Sequence, residues 1–140
     1  MAEKRHARGL VDTSVVIDLE SIDPRDLPVE IAVSAVTMAE LAAGAHATRD
    51  PIERARRQER VQRAEATFEP LPVDGAAARA YGRVYASVAA SGRKARGRRA
   101  LDLLIAATAV AAGLPLYTRN PTDFANFTDL LEVVAVQVAR

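Results

Sequence analysis

The chain has 140 residues, 49% of them hydrophobic, with no cysteine and a formal net charge of +1. That length supports one core and a single domain over residues 1–140, and the lack of cysteine excludes a disulfide framework, a thiolate zinc site and thiol catalysis. His6 and His46 are too few and too far apart for an imidazole-rich metal centre, and no run of about twenty apolar residues suits a membrane span.

Residues 1–8 form a charged lead with no apolar signal segment after it, so a cytoplasmic protein is expected. Gly9-Leu10-Val11-Asp12 reads as a short strand ending in an acid, and Val15, Val16 and Leu19 continue at helical spacing over Thr13 to Glu20. Asp23-Pro24 and Leu27-Pro28 punctuate the connection to a β-branched strand at Ile31-Ala32-Val33. An alanine-rich helix follows, weakened or ended near Gly44, and then a polar helix from about Pro51 to Thr67.

Phe68 to Val73 carries Pro70 and Pro72, which confines any strand there to a sheet edge. Asp74 suits the N-cap of a helix reaching about Ala90. Ala100 to Ala112 is apolar almost all round, as in a helix buried on several sides, and Gly113 and Pro115 stop it. Leu116-Tyr117-Thr118 is a brief strand, Asn120-Pro121 opens a short helix, and Glu132 to Val138 is a last strand. Strands separated by helices argue for an α/β fold with a mainly parallel sheet covered on both faces.

Four acids stand near the strand ends or open the next helix: Asp12, Glu40, Asp102 and Asp123. Each has a local explanation. Asp12 suits an N-cap, Thr37 and Glu40 have capping-box spacing, Asp102 falls in a first helical turn, and Asn120 and Asp123 flank Pro121 in a similar cap. Together they say more, because right-handed crossovers bring strand-to-helix junctions to one sheet edge, where ligands bind. Carboxylates gathered there repel unless a cation neutralises them, and oxygen-only ligands favour Mg²⁺ or Mn²⁺.

The blocks Val11-Asp12-Thr13-Ser14, Ala39-Glu40-Leu41 with Gly44, Asp102-Leu103-Leu104-Ile105-Ala106-Ala107, and Thr118-Arg119-Asn120 with Asp123-Phe124 resemble the PIN-domain nucleases. Within that family they resemble the VapC-type toxins of bacterial toxin–antitoxin pairs, in order, from Leu10 to about Val136. The resemblance implies a PIN-like three-layer α/β/α sandwich and a Mg²⁺-dependent endoribonuclease that hydrolyses RNA with metal-activated water. It also implies a homodimer and a VapB-type antitoxin that keeps it silent, its tail occupying the groove beside the acids. By residue, Asp12 and Asp102 match the principal metal ligands, and Glu40 and Asp123 the acids that complete the catalytic site. Thr13, Ser14, Thr118, Arg119 and Asn120 match positions that contact the metal, its waters or the substrate. The eight-residue lead departs from the family, which often starts almost at the first strand.

Two basic clusters remain. Arginines from Arg49 to Arg63 alternate with Glu53, Glu59 and Glu65 and read as a solvated helix face with intrahelical pairs. Arg93, Lys94, Arg96, Arg98 and Arg99 crowd a glycine-flanked loop without acid partners, a candidate for RNA phosphates. The aromatic residues are expected in the core rather than on a base-stacking platform. The main rival is a catalytically silent PIN-like module that binds RNA or protein. A phospho-acceptor signalling domain is a poorer one, because neither Lys4 nor Lys94 follows a convincing strand.

Overall fold

The computed structural model describes residues 5–93 and 97–138, leaving the Arg98 side chain aside. β1 (Arg8–Val11) leads into a single-turn helix α1 (Thr13–Ile17), and two 3₁₀ turns, Leu19–Ser21 and Pro24–Asp26, carry the chain to β2 (Glu30–Ala32). Four longer helices follow among the described residues: α2 (Ala35–Ala45), α3 (Pro51–Thr67), α4 (Gly75–Ala90) and α5 (Arg98–Ala112). β3 (Leu116–Thr118), a 3₁₀ helix at Pro121–Phe127 and β4 (Val133–Ala135) close the fold.

All four strands are parallel, in the order β2-β1-β3-β4. The chain therefore steps from β1 to one side and later returns past it to the other, so the strand order reverses between β1 and β3. A crevice opens there at the carboxyl ends of the strands.

The strands are apolar on both sides because helices cover both faces. Leu10, Ala32 and Leu116 join Val84, Val88, Leu103 and Ile105 in one core, under α4 and α5. Their neighbours Val11, Val33 and Tyr117 face the other way and pack with Val15, Val16, Leu41 and Ala64, under α1, α2 and α3. Each fully buried side chain of this size contributes about 1.5–3 kcal/mol. Phe124 and Phe127 meet edge to face at 5.9 Å in the first core. The α/β/α sandwich and parallel sheet are those expected from the sequence.

Most helix ends follow local chemistry. Asp74 caps α4 by accepting from the Ala77 N–H, Asp50 caps α3, and Gly113 ends α5 at φ 67°, a left-handed value that disfavours any side chain. At Phe68 to Val73, Leu71 alone bridges Ser34, exchanging 2.8 Å backbone bonds with Val33 and Ala35, and Pro70 and Pro72 supply no N–H to extend a ladder. Other expectations change. The last strand is confined to Val133–Ala135. The cap of α2 is Ser34, which accepts from the Val36 N–H, so Thr37 and Glu40 are not a capping box.

Candidate active site

Asp12 follows the last residue of β1 and caps α1. Its Oδ1 accepts from the Val15 N–H at 3.1 Å and from the Ser14 hydroxyl at 2.6 Å. Its Oδ2 accepts from the Thr118 hydroxyl, at the end of β3, at 2.5 Å. Both hydroxyls are held in turn: the Arg119 N–H donates to Ser14 Oγ at 3.1 Å, and the Asn120 N–H to Thr118 Oγ1 at 3.0 Å. With a lone pair occupied on each oxygen, each proton is directed at Asp12. Only 5% of Asp12 is exposed, and this burial raises its pKa above 3.8, against the lowering effect of Ser14, Thr118 and the Val15 N–H.

Glu40 lies one turn beyond Thr37 on α2. It accepts from the Thr13 hydroxyl at 2.6 Å, and Thr13 Oγ1 is 3.1 Å from Thr37 Oγ1. Thr13 has one proton, committed to the carboxylate, so Thr37 is the donor of the second bond. Thr37 is fully buried, and its hydroxyl is spent on aligning the pair.

Asp102 lies just past the first turn of α5, which starts at Arg98, so its place reflects the site rather than the helix dipole. Asp123 lies in the 3₁₀ helix after β3, whose N-cap Asn120 makes no side-chain capping bond. Asp12, Glu40, Asp102 and Asp123 line one open cleft of about 160 Å³, together with Thr13, Ser14 and Asn120. The sheet edge thus gathers carboxylates from four separate stretches of chain.

Arg119 is turned aside: its guanidinium pairs with Asp18, the C-cap of α1. Of the basic loop, Arg99 donates to the Asp123 carbonyl at 3.4 Å and so reaches a segment of the site, while Arg93 is exposed. Lys94, Arg96 and the Arg98 side chain lie outside the described residues.

Sequence reasoning overlooked two residues here. Thr37 was assigned to a cap, although its spacing from Glu40 equally puts both on one helix face. Asp18 carried a signal as well, since a carboxylate at the negative end of a helix is unfavourable without a partner such as Arg119.

The chemistry of the donors fits a hard divalent cation: the groups facing the cleft offer oxygens, no sulfur and no imidazole. Among the described residues no three acidic or histidine side chains form a ready ligand group. Water would have to fill part of the shell of any cation held here, as it commonly does for Mg²⁺.

The PIN-domain family model matches residues 9–130. The chain is 38% identical over 135 residues to Ribonuclease VapC5 of Mycobacterium tuberculosis, covering 94% of this chain and 96% of that one. It belongs to the PIN-domain family, among the VapC proteins. Ribonuclease VapC4 of the same organism is 38% identical over 133 residues, covering 92% of this chain and 97% of its own. In three dimensions the fold is similar to the crystal structure of VapBC-5, a member of the VapBC family of toxin–antitoxin systems from M. tuberculosis. The TM-score is 0.79 at 37% identity, over 94% of this chain and 99% of the other. The acids come from four distant blocks: Asp12 lies at the β1–α1 junction, Glu40 within α2, Asp102 in α5 and Asp123 in the 3₁₀ helix after β3. No helix among the described residues is long and apolar enough to cross a membrane.

Proposed function

We propose that this VapC-family protein is a Mg²⁺-dependent endoribonuclease, the toxin of a toxin–antitoxin pair. The observation that carries the reading is the single cleft lined by Asp12, Glu40, Asp102 and Asp123 at the point where strand order reverses. It is supported by kinship to proteins named ribonucleases along nearly the whole chain.

Asp12 and Asp102 are the residues assigned to hold the cation. When bound, the cation would polarise a phosphoryl oxygen and lower the pKa of a water. The protein's part is to keep its acids ionised and oriented. Ser14 and Thr118 donate to Asp12, offsetting the desolvation that favours its protonated form. Thr13 fixes Glu40, which with Asp123 orients incoming water toward the phosphate. Mn²⁺ is expected to substitute for Mg²⁺, because both are hard ions content with oxygen ligands.

The partners in this reading are RNA, a second copy of the chain and a VapB-type antitoxin, the last supported by the similarity to the VapBC-5 toxin–antitoxin structure. The test is cleavage of RNA with Mg²⁺, with EDTA, and by Asp12→Asn and Asp102→Asn. The expected result is metal-dependent cutting, lost in both variants, with 5′-phosphate and 3′-hydroxyl ends; 2′,3′-cyclic phosphate ends would overturn the hydrolytic route. One observation favours a catalytically silent module, the lack of a ready three-acid ligand group among the described residues. Calorimetry with Mn²⁺ separates the two, since a silent module binds the ion poorly.

A further inference from the structure

A second and larger cavity, of about 280 Å³, opens beside the acid cleft between α1, the turn after it and α3. Ile17 lines both, so the two cavities lie next to each other on the surface. The floor of the larger one is apolar, from Val16, Leu19, Ala64 and Phe68, while its charged groups are Asp18, Glu20, Arg60 and Arg63.

The pairing of these charges is uneven. Asp18 is taken by Arg119 from the far side, and Glu20 by Arg63 at 2.9 Å. Both acids are thereby neutralised, and Arg60 is left as the cation of the lining without an acid or carbonyl partner among the described residues. Its neighbours on α3 are spent differently: Arg57 binds Glu53 and the Gly44 carbonyl, and Arg54 the Thr48 carbonyl. Among the described residues, the solvated face of intrahelical pairs expected for this helix therefore holds for Arg57 and Arg63 but not for Arg54, Arg56 or Arg60.

We propose that this cavity is a nucleotide subsite of the RNA channel, in which Arg60 binds a phosphate neighbouring the scissile one and the apolar floor receives its base. An uncompensated guanidinium beside a carboxylate-lined cleft meets the main difficulty of the site, which is to draw a polyanion toward four acids. A protein segment carrying an acidic residue is the other occupant of suitable charge. RNA is favoured because the cavity adjoins the acid cleft, so that a strand with one phosphate at the acids can lie along both compartments. The inference rests on the nuclease reading for its substrate class, but not for its measurement.

The experiment measures binding of a fluorescent single-stranded RNA by anisotropy in EDTA, where the metal reading predicts no cutting, for the wild type, Arg60→Gln, Arg60→Lys and Arg56→Gln. Arg56 is an exposed arginine of the same helix outside the cavity. Arg60→Gln should weaken binding about three- to tenfold and reduce the salt slope of log Kd by about 0.7, the share of one phosphate on a single strand. Arg60→Lys should recover most of the loss, and Arg56→Gln should bind as wild type. With Mg²⁺, Arg60→Gln should raise KM and leave kcat unchanged.

Unchanged RNA binding in Arg60→Gln overturns the subsite, including the case in which a protein partner proves to need Arg60. An equal loss in Arg56→Gln, or no RNA binding by the wild type, also overturns it. A wild type that binds RNA through Arg60 but never cuts it refutes the nuclease and leaves the subsite standing. Cutting that is indifferent to Arg60 does the reverse.

Discussion

Thr118 Oγ1 donates to Asp12 Oδ2 at 2.5 Å, a buried bond that ties the carboxyl end of β3 to that of β1 across 106 residues of sequence. It spans the gap between the two strands where the order reverses, so the fold and the site are closed by the same contact. Because the Asn120 N–H occupies a lone pair of the same hydroxyl, the proton is not free to turn elsewhere.

Thr118→Val keeps the shape and removes the donor. One of the contacts lowering the Asp12 pKa then disappears, and burial prevails further. A bond to a charged group contributes about 1.5–3 kcal/mol, so RNA cleavage near neutral pH should fall by about tenfold or more. Thr118→Ser should retain most activity, and a pH-rate profile of the valine variant should have its acidic limb displaced to higher pH. An unaltered profile in Thr118→Val would refute this role for the hydroxyl.

Asp12→Asn tests the cost of burying the charge. The unfolded carboxyl titrates near 3.8, while in the fold burial raises the value, so the folded state binds this proton more tightly. The stabilisation from the protonated form is complete below 3.8 and is lost as pH rises through the folded value. Asp23 works in the opposite sense: its hydrogen bond from Arg25 lowers it to about 2, which puts its effect below 3.8 and outside this window. Without added metal, the melting temperature of Asp12→Asn should therefore gain on the wild type as pH rises above 3.8. At neutral pH the variant should remain folded despite its lost activity, since its amide oxygen can still accept from the Val15 N–H and the Ser14 hydroxyl, while the Thr118 hydroxyl loses its acceptor at a cost of about 1–3 kcal/mol.

The acids at β1 and α5 were legible because an apolar run ended in a carboxylate, and an otherwise apolar helix carried one. The role of Thr37 was not, because a Thr-x-x-Glu spacing serves equally as a cap and as one face of a helix. What decides is that Ser34 takes the cap, freeing Thr37 to reach Thr13. Asp18 and Arg60 were beyond local reading for a similar reason. Their meaning lies in which charges find partners across the fold: Arg119 comes from 101 residues away, and Arg63 reaches back to Glu20. The proline-flanked segment at Leu71 shows the converse, a chain placed beside β2 yet denied a ladder by its neighbours' missing N–H groups.

Gly9→Ala should destabilise the protein without touching a carboxylate. A Cβ at this position would lie 2.6 Å from Tyr117 Cε1, 2.9 Å from its Cδ1 and 3.2 Å from Pro28 Cβ. Tyr117 is 3% exposed and packed in the core beneath β1, so its ring has little room to withdraw. Overpacking of this kind costs about 1–3 kcal/mol, to be read from urea unfolding midpoints at constant m-value. A variant as stable as wild type would show that the ring can move.

Added Mn²⁺ should raise the melting temperature of the metal-free protein, because ion binding to the folded state alone stabilises it by mass action. At a hundredfold excess over Kd the gain is about 2.7 kcal/mol, or several degrees for a domain of this size. Asp12→Asn and Asp102→Asn should lose most of that gain, each by removing one assigned ligand. Thr13→Val should lose less, since it leaves every carboxylate in place and only frees Glu40 from its 2.6 Å hydroxyl bond. Ca²⁺, larger and in need of more oxygens, should stabilise less than Mn²⁺ if two carboxylates and water make up the shell. Equal stabilisation of all variants by Mn²⁺ would place its binding elsewhere on the protein and remove the cleft from the reaction.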